Sequence, residues 1–242
     1  MIPDRHKNNE KVVLNWSSGK DASLAYFHLL QDSRYTVTRL LTTISAEHER
    51  VFMHGVRMSL LDIQAERMKL PLIKVMLPAS PDDSIYKNAM LQTMTRLKEQ
   101  GITTAAYGDI FLEDLRTYRE EQLAQAGMKA IFPLWKKDTR ELVAAIEQAG
   151  IDAIVVCVNA KVLGKEFLGK QINADFLNSL PPGVDPCGEH GEFHTFVRNA
   201  PFFSAPIEVS LGEVVHKTYK SADSEDDGWN TGFYFMDIDL AL

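Results

Sequence analysis

The sequence predicts an α/β protein, a parallel sheet with helices on both faces followed by a smaller, strand-rich α+β part. Three observations carry that expectation. Short apolar or β-branched runs alternate with segments of helical spacing through the first half. Glycine, proline and small polar residues punctuate them. From Pro181 onward the chain reads as successive strands.

Lys11–Trp16 is an apolar run of strand length, and Ala22–Leu30 reads as a helix. Thr36–Ile44 is a second strand, rich in β-branched residues. Gly55 precedes a helix over Arg57–Lys69, where Met58, Leu61, Ala65 and Met68 recur at helical spacing. Leu70-Pro71 ends it, and Leu72–Met76 is a third strand. Pro78–Pro81 is a loop, with Ser80 as the expected cap of a long helix over Asp82–Gln100. Thr103–Tyr107 is a fourth strand ending at Gly108-Asp109. A βαβα order implies parallel strands whose ligands gather at their carboxyl ends. Ser17–Asp21, Thr43–Ser45 and Gly108–Ile110 all fall there.

A helix around Leu112–Ala126 leads to Ile131-Phe132-Pro133-Leu134-Trp135, then to a helix Asp138–Ala149 and a strand Asp152–Val158. A short helical piece spans Asn173–Ser179 before Pro181-Pro182-Gly183. Strands are expected at Glu192–Arg198, Ile207–Tyr219 and Gly232–Asp239, with Ser221–Asp227 as a solvated acidic turn. A soft boundary near Leu134–Lys137 divides a first part, 1–134, from a second, 135–242. No internal repeat is present.

The 242 residues, 45% hydrophobic, describe a soluble globular chain. Runs such as Ala153–Val158 are too short to cross a bilayer, and Met1–Lys11 lacks an apolar signal core. Two cysteines, Cys157 and Cys187, are too few for a disulfide framework, so the expected compartment is the cytoplasm. A formal charge of −7 argues against wholesale nucleic-acid binding. It does not exclude ATP, whose phosphates are met by local dipoles and Mg²⁺. A homo-oligomer is left open.

The densest chemistry lies at Ser17-Ser18-Gly19-Lys20-Asp21, where a strand enters a helix. Unpaired first-turn N–H groups and the helix dipole favour an anionic phosphate there. Gly19 permits close approach, Ser17, Ser18 and Ser23 offer hydroxyls, Lys20 offers a positive charge, and Asp21 can orient a metal or an amine. The spacing is not a Walker A loop, because Leu14 stands where its first glycine would fall. It is not a dinucleotide fingerprint either, with Gly19 its only glycine. An ordinary capped strand–turn–helix connection is the alternative. The loop resembles the Ser-Gly-Gly-x-Asp-Ser loop of the PP-loop ATP pyrophosphatases, with Ser18 in place of the first glycine and Ala22 in place of the last serine.

A second constellation brings Glu189, His190, Glu192, His194 and Thr195 together around Gly188 and Gly191. In a strand over Glu192–Val197, Glu192, His194 and Phe196 would share a face, aiming a carboxylate and an imidazole into one space. Such a pair suits binding an amine or ammonia, or moving its proton. The alternative is a polar hairpin whose histidines only hydrogen-bond. Cys187, His190 and His194 have metal-ligand chemistry, but nothing nearby completes a site, so no protein metal site is assigned. Of the scattered histidines only His54 sits near the crevice, and an ordinary surface histidine is the expectation for it.

Taken together, the loop, Gly108-Asp109-Ile110, Pro133-Leu134-Trp135 and Gly188-Glu189-His190-Gly191-Glu192-Phe193 resemble the diphthine–ammonia ligase family, from about Lys11 to Leu240. The resemblance implies a HUP-type α/β domain, the adenine nucleotide α-hydrolase type, facing a smaller C-terminal domain. It implies an AMP-forming amide ligase that adenylates a carboxylate, small or protein-borne, and transfers ammonia or an amine to it. ATP and Mg²⁺ are the implied cofactors. Ser17, Ser18, Gly19, Lys20 and Asp21 would hold the phosphates, with Ser23 in the first turn. Thr43 and Ile44 would lie near the adenine through backbone contacts, and Gly108 and Asp109 would close the crevice. Glu189, His190, Gly191, Glu192, His194 and Thr195 would face the substrate, with Lys20, Asp21, Glu192 and His194 as the catalytic set. The sequence departs from the eukaryotic and archaeal pattern at His190 and His194, where it resembles the bacterial branch, so the substrate carboxylate need not be diphthine. Two readings of other kinds stay open, a nucleotide-binding module without turnover and a PP-loop RNA-modifying enzyme.

Overall fold

A computed structural model describes residues 9–219 and 231–241. The expected acidic turn at 221–227 lies outside them. The first half builds β1 (Glu10–Asn15), α1 (Lys20–Gln31), β2 (Tyr35–Ser45), β3 (Arg50–Val51), α2 (Met58–Met68), β4 (Leu72–Leu77), α3 (Asp83–Glu99), β5 (Thr104–Ala106), α4 (Glu113–Gln125) and β6 (Lys129–Ile131). The second half adds α5 (Thr139–Gln148), β7 (Asp152–Asn159), α6 (Ala174–Ser179), β8 (Phe193–Asn199), β9 (Val209–Tyr219) and β10 (Thr231–Leu240).

Strands β4, β2, β1, β5 and β6 lie side by side in that order and all run parallel. The two-residue β3 pairs antiparallel with the end of β2. Alternation along β1 separates two layers. Val12 and Leu14 enter one apolar cluster with residues of α1, α2 and α5. Val13 enters another with Met90, Met94 and Leu97 of α3 and Leu123 of α4. Helices therefore cover both faces, as the element order predicts.

Strands β8, β7, β10 and β9 form a second, antiparallel sheet. Its inner residues Val155, Phe193 and Phe196 belong to the same buried cluster as Leu14 and Leu24, so one core runs across the expected boundary near residue 134. Among the described residues, no helix is long and apolar enough to cross a membrane.

Two local expectations need correction. The cap of α3 is Asp82, whose carboxylate accepts from Ile85 N at 2.8 Å, and Ser80 lies two residues outside it. Helix α1 starts at Lys20, two residues before the expected Ala22, and has no side-chain cap of its own. Its first N–H donates to Thr195 Oγ1 at 3.0 Å, so the hydroxyl that starts this helix comes from 175 residues downstream.

Gln64 is the polar centre of the junction. It is fully buried on the apolar face of α2. Its Oε1 accepts from Trp16 Nε1 at 2.8 Å, while its Nε2 donates to Val197 O at 2.8 Å and Ser18 O at 3.3 Å. Replacing Gln64 by Met takes a partner from Trp16 Nε1 and Val197 O, each loss worth about 1–3 kcal/mol, while Ser18 O keeps its bond from Val197 N. The expected outcome for Gln64→Met is a loss of about 2–4 kcal/mol, read as a lower urea midpoint at unchanged m-value.

Candidate active site

The carboxyl ends of β1, β2 and β5 open onto a cleft of about 470 Å³, roofed by the C-terminal sheet. Its volume suits a small-molecule site, which typically spans about 300–1,000 Å³. Asn15, Ser17, Lys20, Asp21 and Ala22 line one wall, and Thr42, Thr43, Tyr107, Gly108 and Asp109 line another. Gly188, Glu189, Gly191, Phe193, His194 and Thr195 close the third. The three strand ends and the downstream segment, far apart in sequence, thus meet at one place.

The loop between β1 and α1 is shaped for an anion. Ser18 holds φ at +74°, a left-handed conformation that favours glycine, at the position where the related loop has glycine. Ser18 Oγ and Asp21 Oδ1 are buried and accept or donate no hydrogen bond among the described residues. Gly108 packs against the first turn so tightly that a Cβ there would stand 2.8 Å from Ala22 N and Asp21 C. Ser23 does not replace the missing hydroxyl of Ala22, because its Oγ donates to Gly19 O at 2.9 Å within the helix. Gly19 lies under β8, with Thr195 and His54 at its Cα.

Lys20 is 2% exposed. Its Nζ donates to Asp21 Oδ2 at 2.8 Å and to Cys187 O at 2.5 Å, and it lies 5.1 Å from the Phe193 ring centroid. Burial, the largest cause, disfavours its charge, yet Asp21, Cys187 and Glu189 together outweigh it and hold the pKa above its ordinary value. The ammonium is therefore a permanent positive charge at the loop. The Ser17 hydroxyl and the Lys20 ammonium beside a helix N-terminus together fit a phosphate-bearing ligand.

The downstream segment divides its labour in a way the spacing did not predict. Glu192 precedes β8, is buried and turns inward. Its two oxygens accept from Asp185 N at 3.0 Å and His190 N at 2.9 Å, so it does not border the cleft beside His194. His190 is exposed, its ring 5.1 Å from that of Phe111. Ile44 is fully buried behind Thr43. The carboxylate that does face the cleft is Glu189, which accepts from Ile110 N at 2.7 Å and so ties the loop to the end of β5. His54 is not a surface residue, because it lines the cleft and packs on His194.

Sequence reading missed Gln64, Thr42, Tyr86, Tyr107 and Arg119. Arg119 stacks 4.3 Å from the Tyr107 ring and reaches Asp109 at 2.6 Å, holding that carboxylate in the cleft wall. Burial pushes the Tyr107 hydroxyl up to about 12. Only Gln64 left a signal, as a polar side chain in register with Leu61, Ala65 and Met68.

Burial lifts the Glu189 carboxyl from 4.5 to about 7. Between those values the folded protein keeps a proton the unfolded chain has lost, so this group makes stability fall as pH rises from about 4.5 to 7. Glu189→Gln keeps an acceptor for Ile110 N and removes the titration. Relative to wild type, Glu189→Gln should gain on the order of 2 kcal/mol on going from pH 4.5 to pH 8, measured by urea unfolding at each pH.

The model of the diphthamide synthase N-terminal domain matches residues 10–130, and that of the diphthamide synthase C-terminal domain matches residues 138–238. The chain is similar to the diphthine–ammonia ligase of Danio rerio, 26% identical over 231 residues, covering 85% of this chain and 88% of that protein. The Homo sapiens diphthine–ammonia ligase is 27% identical, with 64% of each chain covered. In Schizosaccharomyces pombe the diphthine–ammonia ligase is 35% identical over 104 residues, 41% of this chain and 17% of that longer protein. Among solved structures, the U34-tRNA thiolase NcsA from Methanococcus maripaludis aligns over 58% of this chain and 57% of its own, at 19% identity and a TM-score of 0.36, a likeness too slight to carry an argument.

Proposed function

As a member of the diphthamide synthase family the chain is an ATP-dependent ligase, and we propose that it is AMP-forming, adenylating a substrate carboxylate and passing ammonia or an amine to it. The observation that carries this reading is the closure of the segment Asp185–Thr195 over the loop Ser17–Asp21, with Lys20 bonded to both sides through Cys187 O and Asp21. A phosphate cradle alone would suit any nucleotide binder. A cradle walled by a second polar segment suits a reaction at the phosphate.

In this reading the triphosphate lies along Ser17–Asp21, with the Lys20 ammonium and the first-turn N–H groups beyond Lys20 facing its oxygens. A carboxylate cannot expel oxide when a nitrogen nucleophile attacks it, but an acyl-adenylate expels AMP. The wall of Glu189, Gly191, His194 and Thr195 would orient that carboxylate toward the α-phosphate. Among the described residues no cluster of three or more His, Cys, Asp or Glu is arranged to hold a metal ion, so Mg²⁺ would be held chiefly by the phosphates, with Asp21 Oδ1 as the protein oxygen available to it. Bound there, it would offset phosphate charge. Glu192 acts by fixing the backbone of the wall, and His190 would meet the substrate only at the rim.

The relatives are named for diphthine and ammonia. The imidazole of His194 beside Lys20 offers no negative charge to a cationic substrate, and a carboxylate other than diphthine fits this wall as well.

Incubation of α-labelled ATP with ammonia, a panel of carboxylic acids and a diphthine-bearing protein tests the reading. The expected products are AMP and pyrophosphate, formed only when one of those acceptors is present. ADP as the only nucleotide product would contradict it. Lys20→Met should lower turnover by about 100-fold or more, given the size of fixed-charge stabilisation at such sites.

A further inference from the structure

The segment between β3 and α2 carries His54 into the cleft, where its ring lies 4.6 Å from that of His194, tilted by 33°. His54 Nδ1 stands 3.2 Å from Thr195 O. A carbonyl oxygen only accepts, so Nδ1 carries the proton of the neutral ring and Nε2 is left as a bare lone pair. The backbone of β8 thus fixes the tautomer of His54. His194 Nε2 is buried and has no hydrogen-bond partner among the described residues.

The surroundings select against a second positive charge. Lys20 of α1 and Thr195 of β8 act on the pair directly, and Asp21, Glu189, Asp109, Arg119, Tyr86 and Tyr107 are the other titratable groups lining the same cleft. Burial first, and then the Lys20 ammonium, hold His54 down to about 4 against the opposing bond to Thr195. His194 is held well below its usual range by burial, by His54 and by Lys20. Both rings are therefore neutral near pH 7 and offer acceptors beside the phosphate loop.

We propose that His54 and His194 form the subsite of the nitrogen nucleophile, and that it takes the neutral amine, ammonia in the simplest case, in preference to the ammonium cation. This rests on the ligase reading above. In the transfer step the ammonia lone pair forms the C–N bond at the acyl carbon, and the C–O bond to AMP breaks with its electron pair leaving on AMP. One N–H proton passes to the lone pair of His54 Nε2. That proton leaves a nitrogen already made cationic by the new C–N bond, so a weakly basic imidazole suffices.

The test uses the full chain with ¹⁵N-labelled histidine rings and α,β-methylene-ATP, titrated with ammonium chloride at pH 7, 8 and 9. The expected result has the unprotonated nitrogen of His54 at Nε2 and a saturable shift of that resonance. Half-saturation should fall about tenfold in total ammonium from pH 7 to 8 and by less from pH 8 to 9, following the neutral fraction. Potassium chloride should give no such shift, and His54→Phe should abolish the response at His194. The proposal is overturned by an unprotonated Nδ1 in His54, by no response to ammonia, by a response that ignores pH, or by one that potassium reproduces. No carboxylate enters this measurement, so its outcome is separate from that of the AMP-forming reading, which nucleotide products decide.

Discussion

The rest of the site depends on β8 lying across the loop Ser17–Asp21. Val197 N donates to Ser18 O at 2.9 Å, Lys20 N donates to Thr195 Oγ1 at 3.0 Å, and Gln64 bonds both strand and loop. In most helices the first-turn donors are met by a cap residue just before the helix. Here the cap belongs to the other sheet, so contacts from both halves hold the loop in place. The common apolar core follows from the same constraint, because a cap that must be placed within hydrogen-bond reach needs a rigid foundation.

That docking explains how a lysine can be buried. An ammonium taken out of water is costly unless it is paired and hydrogen-bonded. Asp21 supplies the opposite charge from the next residue, and Cys187 O supplies a second acceptor from the C-terminal half. Once the pair is buried, its field acts at short range on whatever enters the cleft. Burial is the main cause of the low basicity of the neighbouring imidazoles, and the Lys20 ammonium adds to it.

Much of this was legible in the sequence. Alternating apolar runs and helical spacing placed the main helices and strands of the first half close to their observed bounds, and the βαβα order predicted the parallel sheet. The start of α1 was misplaced because its cap lies 175 residues away, where no local pattern reports it. Glu192 and His194 share a side of an ideal strand, but Glu192 lies one residue before β8, where the turn from Asp185 redirects its carboxylate onto backbone amides. His54 carried no pattern of its own, since its place in the cleft follows from the β3 turn, a two-residue strand too short for periodicity to detect. Gln64 alone was readable in principle, as a polar residue on an apolar helix face.

The central claim is that the two halves together build one phosphate cradle at Ser17–Asp21, roofed by β8. A crystal structure with α,β-methylene-ATP tests it most directly. The account predicts phosphate oxygens within hydrogen-bond distance of Lys20 Nζ and of the loop N–H groups, with the α-phosphate facing Glu189–Thr195. Phosphates bound elsewhere, for instance in the separate cavity lined by Arg50, Lys217 and Phe235, would contradict it.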